Sequence, residues 1–249
     1  MHGPIRYFGI SDLSCRIRPI SKCLHSVDES RLTSSSFRNP QGVALDNRGN
    51  LWVVDAGSHT IRKINLATRM VSTIAGQAGS AGTADGSGNQ ARFSSPLGIA
   101  LETATVTSDL ERFFAGGAPP SVRMMVADTG NGRIRRVGEN GQVETLAQTG
   151  GSLYSDHVRA TEAGLAPSTL AFDGRLFITD LYRQSVVRLD ANGFLDIVGN
   201  GDAAFSGDGG LATAASLSYP KSMVFDRFGN LFITDSNNHR IRAVRGPLP

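Results

Sequence analysis

Gly229-Asn-Leu-Phe-Ile-Thr-Asp235-Ser-Asn-Asn238-His239-Arg240-Ile-Arg-Ala-Val244 and Gly49-Asn-Leu-Trp-Val-Val-Asp55-Ala-Gly-Ser-His59-Thr-Ile-Arg-Lys-Ile64 are two copies of one pattern. Two weaker copies lie between them: Arg123-Met-Met-Val-Ala-Asp128-Thr-Gly-Asn131-Gly-Arg133-Ile-Arg-Arg-Val137, and Arg175-Leu-Phe-Ile-Thr-Asp180-Leu-Tyr182-Arg183-Gln184-Ser-Val-Val-Arg-Leu189. In all four, an Asp stands six positions before a β-branched residue: Asp55 and Ile61, Asp128 and Ile134, Asp180 and Val186, Asp235 and Ile241. A recurring unit of this length is the mark of a repeat architecture and governs every later reading.

The surroundings repeat as well. Each copy follows a Pro and a short apolar run that closes on an acid: Pro40 to Asp46, Pro96 to Glu102, Pro167 to Asp173 and Pro220 to Asp226. The first three are followed by one more run, Val71–Ala75, Val143–Ala147 and Phe194–Val198. A unit is therefore four short runs rich in Val, Ile, Leu and Phe, parted by Gly, Asn and Asp, which predicts a four-stranded antiparallel meander. Asp46-Asn-Arg-Gly-Asn50, Asp173-Gly174 and Asp226-Arg-Phe-Gly-Asn230 supply the residues that tolerate positive φ in hairpin turns.

Asp128 to Asp180 is 52 residues and Asp180 to Asp235 is 55, whereas Asp55 to Asp128 is 73. The excess falls at 103–122 and reads as a loop insertion between the first and second strands of that unit. The linkers rhyme: Asp85 to Pro96 resembles Asp208 to Pro220, with Asp156 to Pro167 a looser version, and Phe93 and Leu217 each stand three residues before their Pro, as if pinned to the core. A damaged copy precedes them all, Tyr7-Phe-Gly-Ile-Ser-Asp12 through Ile20, followed by a linker from Asp28 to Pro40. The whole chain, 1–249, reads as a single domain, with a degenerate unit and linker at 1–39 and repeats at 40–76, 96–148, 167–199 and 220–245. The expected count is about 18 strands: three from the damaged copy, twelve from three whole units and three from the last.

These units resemble NHL repeats, whose signature runs Pro-X-Gly-apolar-Asp, then Gly-Asn-Leu-Tyr-(Val/Ile)-Ala-Asp, then Asn-His-Arg-Ile-Arg and a short strand ending in Ala-Gly. Pro220 through Arg242 fits closely and Pro40 through Gly76 nearly as well. The resemblance implies an all-β fold, a β-propeller of four-stranded antiparallel blades, usually six around a channel. Strands buried on both faces suit the nearly continuous apolar runs. Six blades need about 24 strands, so four to five blades are present and the ring is incomplete unless it closes with fewer, or a missing segment, self-association or another molecule completes it.

Composition narrows the functional classes. Gly, at 29 of 249 residues or about 12%, exceeds the usual ~7%, in keeping with repeated turns. No run approaches the ~18 apolar residues of a membrane-spanning helix. Cys15 and Cys23 cannot by themselves form a disulfide scaffold or a four-thiolate zinc site. The first residues lack the apolar core of a secretory signal, and no Asn-X-Ser/Thr acceptor occurs, which leans towards an intracellular protein. The net charge of +3 permits an anionic partner without requiring one.

Asp55, Asp128, Asp180 and Asp235 recur in every unit, which favours a structural role in the turn after the second strand. Asp46, Glu102, Asp173 and Asp226 read as turn formers, and Gly207-Asp-Gly-Gly210 as a turn rather than a calcium or phosphate loop. Arg62, Arg135, Arg188 and Arg242 are taken as equivalent and as braces between blades, and Trp52 as core. His59 and His239 are equivalent to Gly132 and Gln184 and suggest packing rather than metal; His2, His25 and His157 show no ligand spacing. No nucleophile elbow, phosphate loop or zinc-protease helix occurs, so neither catalytic residues nor a cofactor is expected.

Shared positions build the blade, so departures from the internal consensus are the better binding candidates. Tyr182, Arg183 and Gln184 stand where the last unit has Asn237, Asn238 and His239; together with Asn131, Arg133, His59, Asn238, His239 and Arg240, these three make up the expected binding set on the loops between second and third strands. The expected function is a non-catalytic scaffold that binds a protein through those loops. Two alternatives are single-stranded RNA binding on a basic face, as in the tripartite-motif branch of the family, and a metal-dependent lactonase or lyase like related propeller enzymes.

Overall fold

The computed structural model describes residues 30–31, 35–102, 122–148, 165–189 and 195–246. The damaged N-terminal copy, the 103–121 part of the insertion, most of the linker from Asp156, both cysteines, and His2, His25 and His157 lie outside the described residues.

Each of the first three repeats folds as a meander. Blade one is β2 (Pro40–Leu45), β3 (Asn50–Asp55), β4 (Thr60–Asn65) and β5 (Met70–Ala75), with a two-residue strand β1 (Ser30–Arg31) paired outside β5. Blade two repeats this with β7 (Ile99–Glu102), β8 (Arg123–Asp128), β9 (Arg133–Gly138) and β10 (Gln142–Gln148), and β6 (Gly86–Ser87) outside β10. Blade three is β11 (Pro167–Phe172), β12 (Leu176–Asp180), β13 (Ser185–Leu189) and β14 (Leu195–Val198). Blade four has β15 (Pro220–Phe225), β16 (Leu231–Asp235) and β17 (Arg240–Val244), which ends its sheet. All these pairings are antiparallel. The edge strands β1 and β6 come from the linkers, which sequence periodicity does not mark as strands.

The hairpins close as their residues dictate. Asp46 Oδ1 accepts from the backbone N–H groups of Arg48 (2.9 Å) and Asn50 (2.8 Å), and Asp226 Oδ1 from those of Phe228 (2.8 Å) and Asn230 (2.9 Å). Gly49 and Gly229 follow at φ 77° and 79°, a region side chains enter only at a cost.

Strand alternation feeds two cores from each of the first three blades. In β8, Met124 and Val126 join Trp52, Val54 and Ile61 of blade one, while Met125 and Ala127 join Leu170, Leu176 and Ile178 of blade three. Phe177 and Val186 of blade three meet Met223, Leu231 and Ile233 of blade four. A strand covered on both sides has no polar face, which is why these runs read as continuously apolar. Phe93 and Leu217 are buried in these cores, which holds the linkers down. The two ends of the row are different: Val43 and Leu45 on blade one, and Val224 and Phe228 on blade four, are more than half exposed. Among the described residues no helix is long and apolar enough to cross a membrane.

The first strands β2, β7, β11 and β15 lie side by side. That approach explains the Gly of Pro-X-Gly. A Cβ at Gly42 would stand 2.5 Å from the Leu97 carbonyl oxygen, and one at Gly98 would stand 2.5 Å from that of Ser168 and 2.9 Å from Thr169 Cα. Blade three carries Thr169 there instead, and its hydroxyl donates to the Lys221 carbonyl. Gly98→Val should therefore push blades two and three apart and cost about 1–3 kcal/mol in urea denaturation. A fully neutral result would contradict the close packing.

Candidate functional site

The loops between second and third strands hang on the repeated Asp. Asp55 Oδ1 accepts from Arg38 N (2.7 Å), Asp128 Oδ1 from Ser94 N (2.7 Å), Asp180 Oδ1 from Ala166 N (3.2 Å) and Asp235 Oδ1 from Ser218 N (2.6 Å). Each donor lies in the linker just before the first strand of the same blade, so one carboxylate ties the blade's entry to its second strand. All four are fully buried. Burial pushes Asp55, Asp128 and Asp180 up from the ordinary carboxylate range, against the pull of their N–H donors and neighbouring guanidinium groups.

The compensating charge is an arginine seven residues on. Arg135 Nη1 reaches Asp128 Oδ2 at 2.8 Å and Arg242 Nη1 reaches Asp235 Oδ2 at 3.2 Å, while Arg62 stands 3.9 Å from Asp55. These guanidinium groups also grip the linker. Arg135 donates to the carbonyls of Arg92 (2.9 Å) and Ala84 (2.8 Å) and to Asp85 (2.7 Å); Arg242 donates to the carbonyls of Ser216 (3.0 Å) and Ser206 (2.9 Å) and pairs with Asp208 (2.7 Å). They lie 5.1, 5.2 and 5.0 Å from the ring centroids of Phe37, Phe93 and Phe205 respectively.

Arg188 does not belong to this set. Strand register places Val187 opposite Ile178, as Arg135 is opposite Val126 and Arg242 opposite Ile233, so Arg188 is one position out of phase. Blade three supplies its cation from Arg183 instead, three residues after Asp180, with Nε 3.8 Å from Oδ2. Arg183 is only 6% exposed and belongs to the interior. Aligning the repeats by their Arg hides this exchange; counting from the Asp reveals it.

The other expected binding residues divide between scaffold and surface. Asn131 and Asn238 each bridge their Asp (2.8 Å in both) and a linker carbonyl, Gly82 at 2.6 Å and Ala204 at 2.8 Å, and Arg133 donates to Thr83 O at 2.8 Å. His59, Gly132, Gln184 and His239 share left-handed backbone, with φ of 60°, 61°, 52° and 53°. His59 Nδ1 accepts from Ser95 N (3.0 Å) and the Gln184 amide oxygen from Tyr219 N, so these side chains hold the residue before the next blade's proline. Tyr182 is 76% exposed, and the exposed Arg240 guanidinium lies 3.9 Å from the centroid of Phe205.

The remaining acids are also occupied. At Asp46 burial opposes ionisation, but N–H bonds from Asn50, Trp52 and Arg48 outweigh it and hold the carboxyl below the ordinary range. Trp52 is thus both core and donor, at 3.0 Å from Asp46 Oδ2. Asp173 is likewise lowered: its Arg175 contacts outweigh the opposing effect of burial. Asp226 is lowered by the Asn230 side chain. Gly207 and Gly209 have φ of 85° and 79°, and Gly210 N donates to Gly207 O at 3.1 Å, a turn. Among the described residues no three His, Cys, Asp or Glu side chains are grouped to hold a metal.

Four-stranded meanders packed face to face in sequence, each with its linker tied to a buried Asp, define a β-propeller architecture. An NHL repeat model matches residues 37–64. NHL repeat-containing protein 2 of Bos taurus is 30% identical over 231 residues, covering 85% of this chain and 32% of the relative; Teneurin-1 of Homo sapiens is 24% identical over 252 residues, 88% and 8%. An auxiliary nutrient binding protein from Bacteroides ovatus shares the fold at a TM-score of 0.55 and 16% identity, covering 88% of this chain and 54% of that one. A chain from a nidogen/laminin complex does so at 0.52 and 19%, covering 84% and 61%. Residues 37–64 are an NHL repeat, and the chain is similar to NHL repeat-containing proteins over most of its length. It spans about a third of the length of the NHL repeat-containing relatives it matches.

The buried carboxylates make the stability of the chain sensitive to their cations and to pH. Arg135→Ala leaves Asp128 buried without its cation and should cost about 3–5 kcal/mol; Arg183→Ala, although in a loop, should cost a similar amount, whereas a solvent-facing loop arginine would cost almost nothing. Urea midpoints decide between these. For pH, the folded pKa of Asp46 lies below its unfolded value, so its contribution is present above about pH 4 and is lost as pH falls through the folded value. Asp46→Asn should remove part of the fall in Tm between about pH 4 and pH 2.

Proposed function

We propose that this chain is a non-catalytic scaffold that binds a protein through the loops between second and third strands, with the adjoining linkers. The observation that carries this reading is the division within those loops. Repeated positions are used up in holding linkers, whereas Tyr182, at the tip where blades one and two carry Gly57 and Gly130, and the Arg240–Phe205 pair remain exposed. Aromatic and Arg side chains are the types most enriched at energetically important interface positions. A chain solved within a nidogen/laminin complex has this fold, so the architecture can stand in a protein complex.

The alternatives find less support. The Arg62, Arg135 and Arg242 guanidinium groups lie inside the blades and contribute little to a basic face for RNA. A metal-dependent lactonase or lyase would need converging carboxylates, whereas Asp46, Asp173 and Asp226 are held in hairpin turns. The test is quantitative affinity capture with wild-type chain and with Tyr182→Ala/Arg240→Ala, whose circular dichroism should be unchanged. Protein partners retained by wild type should fall at least about tenfold, the loss of one hot-spot contact. Undiminished capture, or tight salt-sensitive binding of single-stranded RNA in its place, would refute the proposal.

A further inference from the structure

Tyr219 is an exposed aromatic that the fold does not require. We infer that it forms, with Tyr182, one binding site at the joint of blades three and four, that Gln184 is the positioning residue of this site, and that its ligand is a proline-rich segment in the polyproline II conformation. This assignment rests on the protein-binding reading above and gives the chemistry of the partner.

Backbone and side chain at position 219 have different origins. Asn39, Ser95 and Tyr219 each precede the proline that opens a first strand, with φ of 59°, 42° and 55°. Left-handed backbone is unfavourable for a residue with a Cβ, and a following proline pushes its neighbour towards extended conformations. Asn tolerates the left-handed region best of the three, and a bulky aromatic tolerates it worst. The repeat therefore imposes this backbone, but nothing in the repeat asks for a ring. Packing could offset the cost if the ring were buried, yet Tyr219 is 41% exposed. Strain kept beneath a side chain that meets solvent points to a ligand.

One amide ties the two tyrosines together. Gln184 Oε1 accepts from Tyr219 N, while Gln184 Nε2 donates to the Leu181 carbonyl in the turn that carries Tyr182. Two chain steps and one glutamine side chain separate the tyrosine backbones, at most about 16 Å, a distance that roughly five residues of polyproline II span. The main chain of the joint sets the conformation of the ligand. Ser218 N donates to Asp235 (2.6 Å) and Tyr182 N to Asp180 (3.0 Å), and the carbonyls of Ser218 and Tyr219 accept from Asn237 N (3.1 Å) and Ser236 N (3.4 Å). An incoming strand would find these groups committed. A polyproline II segment needs no ladder: its backbone stays solvated and its rings lie on aromatic side chains. The two phenols supply such surfaces at small entropic cost, and among the described residues neither hydroxyl has a partner, so both can donate to ligand carbonyls.

The probe is fluorescein-labelled decaproline, titrated into the full chain by fluorescence anisotropy beside a Gly-Ser decapeptide with the same label. Decaproline should bind saturably and the Gly-Ser peptide should not. Tyr182→Ala and Tyr219→Ala should each weaken binding at least about tenfold, and Tyr219→Phe, which keeps the ring and loses the hydroxyl, about threefold. Gln184→Ala should weaken it as Tyr219→Ala does, and Gln184→His should restore it, because His59 performs the same task for Ser95 at the joint of blades one and two. The Phe and His variants keep the test intact should an alanine variant fail to fold. Absence of saturable binding, affinity indifferent to both tyrosines, a Gln184→Ala loss that His does not restore, or tyrosine-dependent binding of oligouridylate tighter than that of decaproline would each overturn the inference. Affinity capture separates it from the broader reading: protein partners that are lost with Tyr182→Ala/Arg240→Ala, but retained by Tyr219→Ala and not displaced by decaproline, overturn this inference and leave that one standing.

Discussion

Every blade depends on a buried carboxylate that accepts an N–H from the linker leading into its own first strand. Without that bond the linker, a long stretch with little sheet pairing of its own, would have to satisfy its polar backbone in the interior by other means. The carboxylate, buried, needs a cation, and the cation, buried too, needs further acceptors; linker carbonyls and a second Asp provide them in blades two and four. Loop, linker and strand are thereby one electrostatic unit. Pairs of this kind are costly to break on one side and contribute less in net stability than their geometry suggests. Their plainer effect is to set the entry point of each blade.

Positional requirements explain which residues vary. The Asp is invariant across the four repeats because one side chain must reach both the linker and the cation. The cation itself can move, because only its end has to arrive: blades one, two and four send it from the third strand and blade three from the turn. The left-handed position after the Asp tolerates Gly, His or Gln, since in two blades its side chain repays the backbone cost by holding the next linker. Variation at these sites is substitution under constraint, whereas Tyr182 meets solvent and is under no such constraint from the fold.

The repeat period, the meander, the turn residues and the burial of Trp52, Phe93 and Leu217 were all legible in the sequence, because local spacing and hairpin chemistry determine them. The candidate site was less so. Asn131, Arg133 and Asn238 carry the residue types of a binding loop, yet their donors are directed at linker carbonyls about 34–50 positions away in the chain. Reading Arg188 as equivalent to Arg135 failed because the repeats had been aligned on residue type, whereas strand register counts from the Asp.

By itself the sequence determined that this is a chain of NHL-type blades, since period, turn chemistry and alternating burial are properties of neighbouring residues. Only the tertiary structure decided which charged groups face inward, which blades share a core and where a linker adds a strand to a sheet. Those outcomes turn on distances between segments tens of residues apart, and on whether a partner stands on the far side of each strand, which no local pattern encodes.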